Sequence, residues 1–140
     1  MKKILVPVDG SAGSDKSVLF AISLAEGKDD EIVLLNVQPS YNTPNVKRFF
    51  SQEQIHSFQE ESSKEVLEHT LELINNTSLS VRTVVRNGDP GNEICEEAKE
   101  SSVDLIVMGY RGLGTVKRAL MGSVATHVLH ETTCPVTIVP

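Results

Sequence analysis

Residues 105–124 of the 140-residue chain read LIVMGYRGLGTVKRALMGSV, and this stretch decides the predicted fold. It begins with four consecutive apolar residues, which is typical of a strand buried on both faces of a parallel sheet. It ends at Gly122 and Ser123, after which apolar residues recur at helical spacing. We expect Ser123 to be the N-cap of that helix. The stretch therefore predicts a strand, a glycine-containing loop and a helix in succession.

The loop contains the groups that a phosphate ligand needs. Gly109 and Gly112 let the backbone approach a ligand without a Cβ in the way. The N-terminus of the following helix offers unpaired N–H groups and the positive end of a dipole. Arg111 adds positive charge, and Lys117 and Arg118 either contact the phosphate or remain solvated. The sequence therefore predicts an anion-binding site in this loop.

The glycine spacing resembles a family signature. Gly109 is followed after two residues by Gly112, and after nine more by the Gly122-Ser123 pair. This spacing resembles the nucleotide-binding signature of the universal stress proteins, in the branch that binds ATP. The resemblance extends to VPVDGS at residues 6–11 and to CPV at residues 134–136. It covers the whole chain, so we expect a single universal stress protein domain over residues 1–140.

Strands and helices alternate along the chain. Apolar runs predict strands at residues 3–8, 31–37, 80–86, 105–108 and 136–139, whereas residues 38–48, with Pro39 and Pro44, are predicted to be irregular. Such alternation implies right-handed crossovers and an α/β fold, a doubly wound five-stranded parallel sheet with helices on both faces. The pattern alone leaves the strand order 2-1-3-4-5 open, and the resemblance implies 3-2-1-4-5.

Local signals predict the helix boundaries. Ser14 is the expected N-cap of the first helix and Gly27 its C-cap. Pro90 suits the first position of the helix that lies between the third and fourth strands. A long helix over residues 51–75 is predicted to bury one apolar side, which consists of Ile55, Phe58, Leu67, Leu71 and Ile74.

In the order 3-2-1-4-5 the topological switch point lies between the first and fourth strands, and ligands bind outside the carboxyl ends there. Residues 9–11 and 109–112 follow those ends and should face each other across one crevice. The resemblance implies that Asp9 helps hold the nucleoside, that the Val37 backbone recognises the adenine edge, and that Ser123 and neighbouring N–H groups hold the phosphates. Asp9 could instead cap the first helix or end the strand. The implied binding residues are Pro7, Val8, Asp9, Val37, Met108, Gly109, Arg111, Gly112, Gly122, Ser123 and Val124.

The implied ligand is ATP, or ADP or AMP, with Mg²⁺ held mainly through the phosphates. No protein metal site and no catalytic residue is predicted. The chain has no G-x-x-x-x-G-K-[ST] motif and no G-x-G-x-x-G after its first strand. His127 and His130 have no acidic or cysteine partner at a ligating spacing, and Cys95 and Cys134 form no C-x-x-C pair, so we expect the cysteines to be buried small hydrophobic residues.

Composition and charge limit the kinds of partner that this protein can bind. A net charge of −6 argues against sequence-independent binding to nucleic acid, and no apolar run reaches the length of a membrane span. The start of the chain lacks the pattern of a signal peptide, so we expect a cytoplasmic protein. The third strand carries Arg82 and Arg86, whereas the fifth carries no charge and is the open edge through which we expect a homodimer, at Val136–Val139.

The leading functional interpretation is a nucleotide-dependent regulatory or binding module in the stress response. A slow ATP hydrolase or an adenylate-transferring enzyme of the same superfamily is the first alternative, although no general base is evident beside the phosphates. A stress protein that binds no nucleotide is the second, and the intact glycine spacing argues against it. The sequence identifies no protein partner.

Overall fold

The computed structural model describes residues 1–25, 29–41, 43–111 and 121–140. The strands are β1 (Lys3–Pro7), β2 (Glu31–Gln38), β3 (Ser80–Asn87), β4 (Leu105–Gly109) and β5 (Val136–Val139). The helices are α1 (Ala12–Leu24), α2 (Pro44–Phe49), α3 (Gln52–Leu73), α4 (Pro90–Glu100) and α5 (Ser123–Glu131). All pairings in the described sheet are parallel, and the strand order is β3-β2-β1-β4-β5. The predicted fold class and strand order are confirmed.

The core has two layers because alternate strand residues point to opposite faces of the sheet. On one face, Leu5 and Ile106 pack against α4 and α5. On the other face, Ile4 and Val107 pack against α1 and α3. The central strands are therefore apolar on both sides, as the run at residues 105–108 indicated. None of the helices in the described part of the chain combines the length and apolar character of a bilayer crossing.

The two cysteines belong to the first of these layers. Cys95 is buried among its residues, Cys134 packs against it half-buried, and neither is in a disulfide. Burial raises the pKa of the Cys95 thiol above its ordinary value, because the buried thiolate would lose its hydration. This thiol is therefore a poor nucleophile, as expected of a packing residue.

Two helix starts differ from the prediction. The N-cap of α1 is Ser11, whose hydroxyl oxygen accepts a hydrogen bond from the Ser14 N–H at 3.1 Å. The predicted cap, Ser14, lies inside the first turn. The N-cap of α5 is Gly122, so the predicted cap Ser123 is the first residue of the helix. Both helices begin before the residue that the spacing of apolar side chains indicated. The predicted C-cap Gly27 lies outside the described residues.

The prediction that residues 38–48 are irregular was wrong at residue 38 and from residue 44 onward, whereas residues 39–41 and 43 are in neither helix nor strand. Strand β2 continues to Gln38, and α2 occupies Pro44–Phe49. The oxygen of the Thr43 side chain accepts from the Val46 N–H at 3.3 Å and caps this helix. Pro44 stands at its start, where the missing N–H has no consequence. A proline taken as a helix breaker is thus a helix initiator here.

Helix α3 matches its predicted extent, and its predicted apolar side is confirmed in part, because Leu67 and Ile74 are buried. Phe58 and Leu71, which were predicted to be buried, are 58% and 40% exposed. The buried side includes polar residues, and its members within the helix are Gln59, Ser63, Leu67 and Thr70. Two of these bond to the β2 region, since Gln59 Nε2 donates to the Pro39 oxygen at 2.7 Å and Ser63 Oγ to Asn36 Oδ1 at 2.9 Å. Hydrogen bonds across the interface accompany the apolar contacts of Leu67 and Ile74 on this side of the helix.

Candidate functional site

A crevice of about 480 Å³ opens at the carboxyl ends of β1 and β4, where the strand order reverses. Its walls come from the ends of β1, β2 and β4, from α3 and from the first turn of α5. Ten of the eleven predicted binding residues line it, namely Pro7, Val8, Asp9, Val37, Met108, Gly109, Arg111, Gly122, Ser123 and Val124. The eleventh, Gly112, lies outside the described residues, as do Lys117 and Arg118. Their contact with a nucleotide stays a prediction.

The β1 end of the crevice is shaped by Asp9. Its Oδ1 accepts from the Ser11 N–H at 2.9 Å, and its own N–H donates to Ser14 Oγ at 3.4 Å. These bonds fix the turn from β1 into α1, whose cap is Ser11. Asp9 thus orders the turn, which was one of its two interpretations, and at the same time it lines the crevice.

The β2 end rests on a buried polar cluster that was not predicted. Asn36 is 3% exposed, and its Nδ2 donates to the Val8 oxygen at 2.9 Å. Its Oδ1 accepts from Gln38 Nε2 at 2.8 Å and from Ser63 Oγ at 2.9 Å. One side chain therefore joins β1, β2 and α3 at the edge of the crevice. The available signal was the pair of amides near the end of an otherwise apolar strand, EIVLLNVQ.

At the β4 end, Gly109 lies close to neighbouring backbone, a packing role that was not predicted. A Cβ added to Gly109 would lie 3.2 Å from the carbonyl oxygens of both Arg111 and Gly13. One added to Gly13 would lie 2.8 Å from the Arg111 oxygen. These glycines let the β4 end pack on the first turn of α1. Gly109 is thus closely packed against the protein's own backbone, and its contact with a ligand stays a prediction.

The N-terminus of α5 forms the remaining wall. Gly122 donates its N–H to the Tyr110 oxygen at 2.9 Å, and no side chain caps the helix. The other four described helices each have a side-chain cap, from Ser11, Thr43, Ser51 and Asp89. The α5 terminus therefore keeps the N–H groups and dipole that bind anions. Among the described lining residues, the charged side chains are Asp9 and Arg111.

The crevice also includes residues that were not predicted. The most informative are Pro39, Tyr41, Ser62, Val66, Ile94 and Tyr110. Most of these are apolar or aromatic, which gives the crevice a mixed character of apolar walls with a few polar groups. Ser62 is present because α3 packs beside β2, and Tyr41 lies in the segment that follows β2. The pattern of strands alone does not specify this arrangement.

No metal centre forms among the described residues, which contain no cluster of three or more His, Cys, Asp or Glu side chains. His127 does have an acidic neighbour in space, because its Nδ1 lies 3.8 Å from Asp89 Oδ2. This pair connects α5 with the start of α4.

Together these features define a doubly wound α/β protein with a crevice at its topological switch point. The model of the universal stress protein family matches residues 1–140, and the chain belongs to that family. It is 35% identical to universal stress protein MJ0531 of Methanocaldococcus jannaschii over 141 residues, which covers 99% of this chain and 81% of the relative. It is 34% identical to YxiE of Bacillus subtilis over 144 residues, covering 98% and 97% of the two chains.

Solved structures agree with this assignment. The structure of protein MJ0577 superposes with a TM-score of 0.85 at 28% identity, covering 99% of this chain and 94% of the other. A universal stress protein from Arabidopsis thaliana with AMP bound has a TM-score of 0.72 at 21% identity. Another, in complex with cAMP, has a TM-score of 0.64 at 23% identity. These last two share the fold with this chain.

Proposed function

We propose that this protein binds an adenine nucleotide, with ATP as the principal ligand, and acts as a nucleotide-dependent regulatory or binding module in the stress response. The observation that carries the proposal is the crevice at the switch point, because ten residues implied by the ATP-binding signature line it. The universal stress proteins with AMP and cAMP bound have the same fold, and the proposal extends adenine-nucleotide binding from those proteins to this chain.

The residues of the crevice suit such a ligand. A volume of about 480 Å³ lies within the usual range of ligand sites. The uncapped N-terminus of α5 and Arg111 would hold the phosphates, and the apolar walls at Val37 and Met108 would enclose the nucleoside. Bound ATP would supply the phosphate oxygens that Mg²⁺ prefers.

Further parts of the proposal concern the molecule around the crevice. We propose that residues 1–140 form one domain, that the protein is cytoplasmic, and that two copies pair through β5. Support for the pairing comes from the sheet itself. In the described residues β5 is an edge strand with β4 as its neighbour, and its four residues are uncharged and half-buried.

The test is to purify the protein, denature it and identify any released nucleotide by chromatography. Nucleotide-free protein is then titrated with ATP, ADP, AMP and GTP by calorimetry, with and without Mg²⁺. We expect adenine nucleotides to bind with near-equimolar stoichiometry and GTP to bind more weakly. Release of phosphate from bound ATP separates a binding module from a slow hydrolase. No released nucleotide, and no binding at millimolar concentration, would contradict the proposal.

A further inference from the structure

Tyr41 lines the crevice at its β2 end, a few residues beyond Val37. The opposite end is formed by the N-terminus of α5, where the phosphates of the proposed ligand would lie. A nucleotide bound with its phosphates at α5 therefore extends its base towards the ends of β1 and β2. Tyr41 stands at that end, and it is not one of the residues that the family signature implies.

The ring of Tyr41 is held in place by its neighbours. It contacts the ring of Phe58 edge-to-face, with centroids 5.7 Å apart and planes at 74°. Two residues earlier, the Pro39 oxygen accepts from Gln59 Nε2 at 2.7 Å, which ties this segment to α3. Ordered support of this kind reduces the entropy that a side chain would lose when a ligand binds.

The backbone of Tyr41 adds a second observation. Its φ is +50°, a left-handed conformation that is uncommon for residues other than glycine and asparagine. Such conformations persist where the surrounding structure enforces them, and they cluster at ligand sites. Here the conformation is found at a residue whose side chain lines a crevice and packs against a second aromatic ring.

From these observations we propose that Tyr41 is a binding residue for the nucleobase, and that its ring stacks on the purine. The proposal rests on adenine-nucleotide binding as proposed above. Stacking of a base on an aromatic side chain makes a substantial contribution to affinity and depends on the π face rather than on a hydrogen-bond pattern. Removal of the ring should therefore weaken every ligand that carries the base by a similar factor, whatever its number of phosphates.

Affinity measurements test this directly. Tyr41→Leu keeps the apolar bulk and removes the π face, whereas Tyr41→Phe keeps the ring and removes the hydroxyl. We expect Tyr41→Leu to weaken both ATP and AMP about tenfold, and Tyr41→Phe to stay within about twofold of the parent. Phe49→Leu is the matched control, because Phe49 is 72% exposed and does not line the crevice. Circular dichroism and thermal unfolding confirm that each variant is folded.

A spectroscopic measurement gives an independent readout. The chain has two tyrosines, Tyr41 and Tyr110, and no tryptophan, so Tyr110→Phe leaves Tyr41 as the emitting tyrosine. We expect AMP to quench Tyr41 emission in this variant, and ribose 5-phosphate, which lacks the base, to leave it unchanged at the same concentration.

The outcomes separate this inference from the proposed function. If the parent binds ATP and Tyr41→Leu binds ATP and AMP as tightly as the parent, the stacking role is wrong and nucleotide binding stands. A loss for ATP without a loss for AMP would place Tyr41 beside the phosphates and would also overturn it, as would equal quenching by ribose 5-phosphate. A parent that binds no adenine nucleotide would overturn both.

Discussion

Asn36 shows how one buried polar side chain can connect three elements. It bonds the β1 end through the Val8 oxygen, its own strand through Gln38 and α3 through Ser63. A buried polar group stabilises a fold when all its partners are present, and it becomes costly when one is missing. No buried side-chain nitrogen or oxygen among the described residues lacks a partner, so this cluster is complete.

We expect Asn36→Ala to lower the free energy of unfolding by at least about 2 kcal/mol, since three polar partners lose their bonds at once. Urea denaturation measures this as a lower midpoint with an unchanged slope. Asn75→Ala is the control, because Asn75 is exposed just beyond α3. Equal midpoints for the two variants would show that water replaces the lost bonds and that the cluster contributes little.

Substitution of Gly122 tests whether the phosphates lie at the N-terminus of α5, because a side chain at this position does not strain the backbone. As the N-cap of α5 it has φ −63°, which any residue adopts, and aspartate is a favoured N-cap. We expect Gly122→Asp to keep the helix and to weaken ATP at least about 100-fold, because its carboxylate competes with phosphate for the same N–H groups and repels it.

Gly122→Ser is the matched variant, with a neutral capping side chain at the same position. It should retain more affinity than Gly122→Asp, and calorimetry at two salt concentrations separates charge from steric effects. If both variants bind ATP like the parent, the phosphates do not lie at the α5 terminus.

At the scale of elements, the sequence predicted what depends on repeated pattern and missed what depends on a single contact. Five strands and the long helix follow from runs of apolar residues, and all were found. Helix α2 was missed because one threonine cap and one proline decide it. The buried side of α3 was predicted only in part, since Leu67 and Ile74 are buried whereas Phe58 and Leu71 are exposed. Gln59 and Ser63 find partners on a distant segment, which periodicity does not reveal.

The contact between α4 and α5 offers a prediction at the same scale. A Cβ added to Gly91 in α4 would lie 2.5 Å from Cγ of the His127 ring in α5. We expect Gly91→Ala to lower the free energy of unfolding by about 1 kcal/mol, since overpacking outweighs the better helix propensity of alanine.

The cycle with His127→Ala identifies the cause. Once the ring is absent, Gly91→Ala should become neutral or stabilising, because only the propensity effect remains. The measurement is equilibrium denaturation of all four proteins. A destabilisation of the same size in both backgrounds would show that the ring is not what excludes a side chain at residue 91.

For the whole molecule, the strand order brings the two separated motifs together. Asp9 and Ser11 line the crevice between β1 and β4 together with residues 109–111, although about 100 residues separate the two motifs in the chain. The switch-point rule predicted this from the order of strands alone. It could not supply the far wall, where Tyr41 and Val66 stand, because that wall depends on where α3 packs.

The two edges of the sheet differ in charge. On β3, Arg86 is held by α4, and side-chain hydrogen bonds to Glu93 and Glu100 raise its pKa above the ordinary value. Arg82 on the same strand pairs with Glu31 at 3.4 Å. Paired charges of this kind discourage the addition of another strand. Strand β5 carries no charge, and its residues Val136 and Ile138 pack on the core from within.

The last prediction is that β5 pairs with β5 of a second copy. The carbonyl oxygens of Pro135 and Val139 accept from Ile106 and Tyr110 on the β4 side. Because alternate residues of a strand direct their backbone groups to opposite sides, those of Val136 and Ile138 point to the open edge.

Val136→Pro removes an outward N–H without breaking a bond to β4, and we expect it to shift the protein from dimer towards monomer in light scattering at micromolar concentration. Val136→Ile, which keeps the N–H, is the control and should remain dimeric. Equal dimerisation of the two variants would place the interface elsewhere, and a parent that is monomeric at every concentration would refute the dimer.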